Sequence, residues 1–201
     1  MPQEITKGEL TRDSIIQVAH TLFVRQGYHG TSMRQIAEEA GIAVGGIYNH
    51  FSGKEDIFKA VFLAYHPYHD VLPTIEQAQG KTVEEFVRSA AEQMLAALKN
   101  RPHFLNLMFV EIVEFKNTHA QELFAELLPH EIDVITKVLP PESNLRPIPI
   151  PMIIRTFVGL FISYHLTDVI MGTSAPPEFR ENDVEYFVDI YLNGILANHE
   201  Q

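Results

Sequence analysis

Residues 30–57 read GTSMRQIAEEAGIAVGGIYNHFSGKEDI, and this stretch decides the fold. Two short helical patterns lie on either side of Ala40-Gly41-Ile42. That spacing is a helix-turn-helix, and Gly41 supplies the positive φ that the turn requires. Ile36, Ala37, Ile42, Ile47 and Phe51 are placed to lock the two helices together. Val44, Gly45, Gly46, Tyr48 and Asn49 then face outward from the second, which is expected over residues 43–51. Adjacent glycines cost a helix roughly 2 kcal/mol relative to two alanines. A surface helix built only for stability would avoid them. They suit a helix whose backbone comes close to another surface, such as a major groove.

Working outward, Ile15, Val18, Ala19, Leu22 and Phe23 form the apolar stripe of a preceding helix that Gly27 ends. Ser32 with Gln35 is a capping box for the next helix, and Ser52 with Glu55 reads as a second one. The helix after Ser52 continues through Ile57, Phe58, Val61, Phe62 and Tyr65 until Pro67 stops it. The domain boundary is expected there, giving residues 1–66 as a DNA-binding domain and 67–201 as a second, larger domain.

The pattern resembles the TetR-type transcriptional regulators. The residues that carry the resemblance are Gly27-Tyr28, then Thr-Ser-Met-Arg-Gln-Ile-Ala from Thr31, then Ala-Gly-Ile-Ala-Val-Gly-Gly-Ile-Tyr-Asn-His-Phe from Ala40, then Gly-Lys-Glu-Asp-Ile from Gly53. The resemblance implies an all-α homodimer of about nine helices: an N-terminal three-helix helix-turn-helix domain and a larger helical domain for effector binding and dimerisation. It implies a repressor released from an inverted-repeat operator by a small molecule. Thr31, Arg34, Tyr48, His50 and Lys54 would then lie along DNA phosphates, with Val44, Gly45, Gly46 and Asn49 toward the bases and Ser32 opening the DNA-binding helix that crosses the backbone. Ala43 departs from the family, which commonly caps the recognition helix with Ser or Thr; a missing cap costs about 1 kcal/mol.

The net charge of −11 argues against nucleic acid when taken alone. It is unevenly spread. Residues 1–66 carry six basic side chains against seven acidic ones, while the remainder carries nine against nineteen. The helix-turn-helix half is therefore near neutral, and its case for DNA rests on placement. The chain has no Cys, which excludes disulfides and thiolate metal sites. No Gly-rich phosphate loop, GxSxG or HExxH is present, so no enzyme activity and no cofactor is expected. The first residues lack a signal-peptide core, and the longest uncharged apolar run, residues 156–166, is far shorter than a membrane span needs. A soluble cytoplasmic protein without a membrane partner is expected. A helical small-molecule binder or enzyme without DNA affinity is the competing reading.

In the second domain, helices are expected over residues 82–99 (capped by Thr82 with Glu85), 104–116, 119–138, 152–171 and 182–199, with a Pro-rich loop over 140–151. The last two are apolar nearly all round, which predicts a dimer interface through Phe157, Phe161, Tyr164, Phe187, Tyr191 and Ile195. Phe86, Met94, Phe104, Met108, Glu111, Phe115, Phe161 and Tyr164 are the candidate effector-pocket residues. Glu111 falls on the apolar face of its helix. It is expected either to pair with Arg88 or Arg155 or to project into the pocket. His66-Pro-Tyr-His69-Asp70 has metal-ligand residue types, but Pro67 breaks their spacing, so no metal is expected.

Overall fold

A computed structural model describes residues 7–70, 82–138, 144–174 and 183–196, together with positions 73 and 176. Among these residues there are nine α-helices and no strand. They are α1 (Lys7–Gln26), α2 (Met33–Glu39), α3 (Val44–Ile47), α4 (Lys54–Tyr65), α5 (Val83–Lys99), α6 (Phe104–Glu114), α7 (Thr118–Val138), α8 (Ile150–Met171) and α9 (Asp183–Ile195). The chain divides into two compact units, residues 1–66 with 103–124 and residues 67–102 with 125–201. The break after His66 falls at Pro67. The segment 103–124, assigned by chain order to the second domain, packs instead with the first.

In the first unit, Ile15, Ala19, Leu22 and Phe23 of α1 meet Ile57, Phe58, Val61 and Phe62 of α4 in a closed core. Fully burying each such side chain is worth about 1.5–3 kcal/mol. Ile36 and Ala37 of α2, Ile47 of α3 and Phe51 complete it. Two turns fix the geometry. Gly27 ends α1 at φ 77° and Gly41 joins α2 to α3 at φ 68°, both in the region where glycine avoids strain. Ser32 caps α2 as expected: the Gln35 N–H donates to Ser32 Oγ at 3.2 Å, and the Ser32 N–H donates to Gln35 Oε1 at 2.9 Å.

Two local expectations fail. The box at Ser52 does not form. Gly53 takes the N-cap position of α4 with no side-chain cap, and Ser52 reaches past Glu55 to Asp56, its N–H donating to Oδ2 at 3.0 Å. Helix α3 is a single turn, Val44–Ile47, not the nine residues anticipated. Ala43 precedes it with no side-chain cap, and two of its four residues are glycines. A helix with neither a cap nor good formers has little to propagate it. Single-turn bonds from the Asn49, His50 and Phe51 N–H groups carry the chain on to Phe51.

Segment 103–124 adds Phe104 and Leu107 to the same core. Tyr28 meets Phe115 edge-on at 5.0 Å, and Phe58 stacks on Phe115 at 4.7 Å. His20 stacks on Tyr65 at 3.7 Å, and burial beside His103 lowers its pKa to about 4.

The second unit packs α5, α8 and α9 on one another, with part of α7. Thr82 caps α5, accepting from the Glu85 N–H at 3.1 Å. The Tyr191 hydroxyl donates to the Ile153 carbonyl at 2.8 Å, and the Tyr164 hydroxyl to Asp183 Oδ2 at 2.6 Å. The Pro-rich segment, described from residue 144, is tied to the end of α9 by the Arg146 N–H on the Ile195 carbonyl at 2.8 Å.

Helix α8 corrects the expectation from the uncharged run. The stretch Ile150–Ser174 is long and apolar enough to cross a membrane by length and composition. It contains Arg155 and Asp168, and its Ile153, Ile154, Phe161 and Tyr164 are buried in the unit.

Candidate nucleic-acid interface and apolar cavity

The residues expected to meet DNA separate into two sets. The first set is exposed. Val44 is 42% and Tyr48 55% accessible, and Gly45 and Asn49 are exposed beside them. Gly46 and His50 are half-buried. A Cβ built on Gly45 or Gly46 would meet nothing within 4 Å, so no internal crowding demands either glycine. Arg34 projects from α2, exposed and without a partner among the described residues. Val44, Gly45, Tyr48 and Asn49 thus present an exposed surface on α3 and just after it.

The second set faces inward, and here the structure corrects the sequence reading. Thr31 is buried, and its hydroxyl donates to the Gly27 carbonyl at 2.9 Å. Ser32 is occupied as the cap of α2. Lys54 Nζ donates to the carbonyls of Tyr28 at 2.7 Å and Thr31 at 2.8 Å, and lies 4.2 Å from the Tyr28 ring centre. Burial holds its pKa below the usual lysine value. The turn between α1 and α2 leaves these carbonyls without helical partners, and the ammonium satisfies them. Lys54 is a staple of this turn. Gly30, which the sequence reading passed over, belongs to the same turn: a Cβ there would stand 2.3 Å from the Gln26 carbonyl oxygen.

Glu111 is fully buried and serves neither of the roles expected of it. Its carboxylate Oε1 accepts from the N–H groups of His119 at 2.8 Å and Ala120 at 3.0 Å, and Oε2 lies 2.9 Å from His119 Nδ1. Its own carbonyl accepts from the Phe115 and Asn117 N–H groups, both at 3.2 Å. One residue thus closes the end of α6 and the start of α7, across a corner where Lys116 and Asn117 adopt φ of 53° and 66°. Arg88 instead pairs with Glu84 and Glu185, and Arg155 is exposed.

An apolar cavity of about 100 Å³ lies within the second unit. Of the eight pocket candidates, Phe86 and Met94 line it. Phe104, Glu111 and Phe115 belong to the packing of the first unit, and Met108 lies on α6 beside them. Phe161 is fully buried, and Tyr164 borders a separate depression with Asp168 and Asp183. The remaining wall comes from Val83, Val87, Ala90, Val134, Ile135, Leu145, Ile153, Ile154, Phe157, Val158 and Ile195, with Tyr68, Glu131 and Tyr191. Glu131 was missed. Its signal was legible, since it interrupts the apolar stripe that continues at Val134 and Ile135, three and four residues on.

The six residues expected at a dimer interface are largely internal. Phe161, Tyr164, Tyr191 and Ile195 are buried, while Phe157 packs on Phe161 at 4.7 Å and Phe187 on Tyr164 at 5.0 Å. These are the faces by which α8 and α9 pack within one protomer. The apolar groups left outside are Val169, Ile170, Tyr186 and Ile190, with Ile170 73% accessible. Among the described residues no three ligand-type side chains gather as a metal site. Asp70 is taken by Arg101, whose Nε lies 2.6 Å away.

Residues 15–61 match the family model described as bacterial regulatory proteins, tetR family. The repressor KstR2 of Mycolicibacterium smegmatis is 27% identical over 58% of this chain. The regulator TtgR of Pseudomonas putida is 35% identical over 36% of it, and AcrR of Shigella flexneri 44% over 28%. The chain covers 62%, 35% and 26% of those relatives' lengths respectively. Among solved structures, the fatty acid degradation regulator FadR from Bacillus halodurans matches with a TM-score of 0.69 at 17% identity, covering 99% of this chain and 100% of that one. A TetR family transcription regulator from Marinobacter aquaeolei matches with a TM-score of 0.63 at 15% identity, covering 94% and 96%. At these identities the structures establish the fold shared along the chain, and the local sequence match establishes the N-terminal module. With the helix-turn-helix turn at Gly41 and the exposed residues of α3 already described, residues 15–61 are an N-terminal module similar to the bacterial regulatory proteins of the tetR family.

Proposed function

We propose that this protein is a cytoplasmic transcriptional repressor that binds an inverted-repeat operator as a homodimer and is released when a small molecule enters the cavity of the second unit. The observation that carries this reading is the pair Gly45-Gly46, which weakens α3 and answers no steric need inside the protein. Closeness to a groove explains it. Arg34, Tyr48 and Asn49 are exposed and would supply donors for phosphates and base edges. The exposed stripe of Val169, Ile170, Tyr186 and Ile190 favours a symmetric pairing of α8 and α9 with a second copy.

The test replaces both glycines by alanine. Helix propensity predicts a protein more stable by about 1 kcal/mol per substitution. The reading predicts that this stabilised protein no longer shifts duplex DNA from upstream of its own gene. A G45A/G46A variant that binds as the parent does would remove the main support. Light scattering of the intact chain should give twice its 22.8 kDa mass.

A further inference from the structure

The cavity in the second unit is chemically narrow. Its wall is aliphatic and aromatic, built from side chains such as Val87, Met94, Val134, Ile154 and Phe157. No Lys, Arg or His is among the described residues that line it. The Tyr191 hydroxyl is engaged by the Ile153 carbonyl at 2.8 Å. That leaves Glu131, half-buried on α7, as the one formal charge on the described wall. Its carboxylate has no hydrogen-bond or ion-pair partner among the described residues. No side-chain nitrogen or oxygen that is fully buried among those residues lacks a partner, so the unbonded oxygens of Glu131 keep some access to solvent.

We propose that Glu131 makes this cavity selective for small apolar cations, binding a hydrophobic amine whose carbon body fills the cavity and whose ammonium pairs with the carboxylate. The inference rests on reading the cavity as the effector site. An isolated carboxylate in apolar surroundings is unfavourable, and a cation brought in by the ligand relieves it. Burial pushes the Glu131 carboxyl above the usual carboxylate range, with His130 opposing. An anionic ligand would meet a like charge with no cation to offset it. A neutral one would leave Glu131 as it was. The volume of about 100 Å³ suits a single ring or a short branched chain, not an extended acyl chain.

Benzylamine, benzyl alcohol and benzoate share one shape and differ in charge, so calorimetric titration of the full chain with each separates the possibilities. Benzylamine should bind more tightly than either of the others, by ~10-fold or more, the usual strength of a charge-assisted contact. Glu131→Gln should erase that advantage and leave benzyl alcohol unchanged. Glu131→Asp, which keeps the charge one methylene further back, should retain the preference in weakened form and serves if the Gln variant does not fold. A preference for benzoate, equal binding of all three, or an amine preference that survives Glu131→Gln would overturn the charge assignment while leaving the cavity a ligand site. No binding of any of the three at millimolar concentration would overturn both the assignment and the effector-site reading. DNA affinity, measured separately by gel shift, stands or falls on its own.

Discussion

Two carboxylates on neighbouring helices show how differently the two units use charge. Glu111 is 0% accessible and fully engaged by two backbone N–H groups and an imidazole. Glu131 lines a cavity, half-buried, with no partner among the described residues. Both interrupt apolar stripes, and in the sequence they look alike. A buried charge inside a saturated network is a structural element, because the protein itself supplies what water would have given. A partly desolvated charge without protein partners takes its complement from solvent or from a ligand. The turn between α1 and α2 in the first unit is built in the same closed manner: Lys54, Thr31 and Ser32 are all committed to backbone groups there. The second unit leaves the carboxylate of Glu131, on the wall of its apolar cavity, without a partner among the described residues.

The comparison breaks most readily at Glu111. Glu111→Ala removes the acceptor for the first N–H groups of α7 and the partner of His119, and should cost roughly 3–5 kcal/mol in denaturant unfolding. A loss below about 1 kcal/mol would mean that water replaces the carboxylate and that the corner is not built around it. Next comes Lys54→Met, which removes the ammonium from two carbonyls, of which Tyr28's keeps the Thr31 N–H, and should cost about 1.5–3 kcal/mol. Its more telling outcome lies in DNA binding. The variant should keep the parental salt slope, whereas Arg34→Ala should lower that slope by about one unit. The reverse result would return Lys54 to the phosphate backbone and weaken the description of the turn between α1 and α2 as self-contained.

The smallest effect is expected at Glu131. Its pKa is raised in the folded protein, so folding favours the protonated carboxyl. The associated stability is present at low pH and is lost as pH rises from the ordinary carboxylate range through the folded value. Glu131→Gln abolishes that loss. The variant should match the parent in acid and exceed it at neutral pH by under about 1 kcal/mol, since partial exposure screens the charge. A variant less stable than the parent at pH 7 would reveal an unrecognised structural partner, and the contrast with Glu111 would fail.

The helix-turn-helix was legible because its signals are local. Glycines at positive φ, a capping box and an apolar stripe at helical spacing all act within a few residues, so the linear chain contains both partners of each interaction. The same reasoning found the all-α class and the limits of most helices. It failed first where a cap had alternatives: Ser52 could serve Glu55 or Asp56, and the choice depended on how Gly53 extended the backbone. It failed again with α3, where the cost of two glycines and a missing cap was recognised but its consequence, a single turn, was not drawn.

What the sequence determined by itself is therefore the element order, the turn at Gly41 and the outward face of Val44, Gly45, Tyr48 and Asn49. Tertiary structure alone decided which apolar faces of α8 and α9 are used inside the protomer, leaving Ile170 and Tyr186 outside in place of Phe161 and Tyr191. It also decided that segment 103–124 joins the N-terminal core, that Lys54 turns inward, and that Glu111 closes a corner while Glu131 opens on a cavity. The physical reason is one of range. Periodicity shows that a residue lies on an apolar stripe, whereas the partner that meets that stripe, or the absence of one, is set by chain segments tens of residues away.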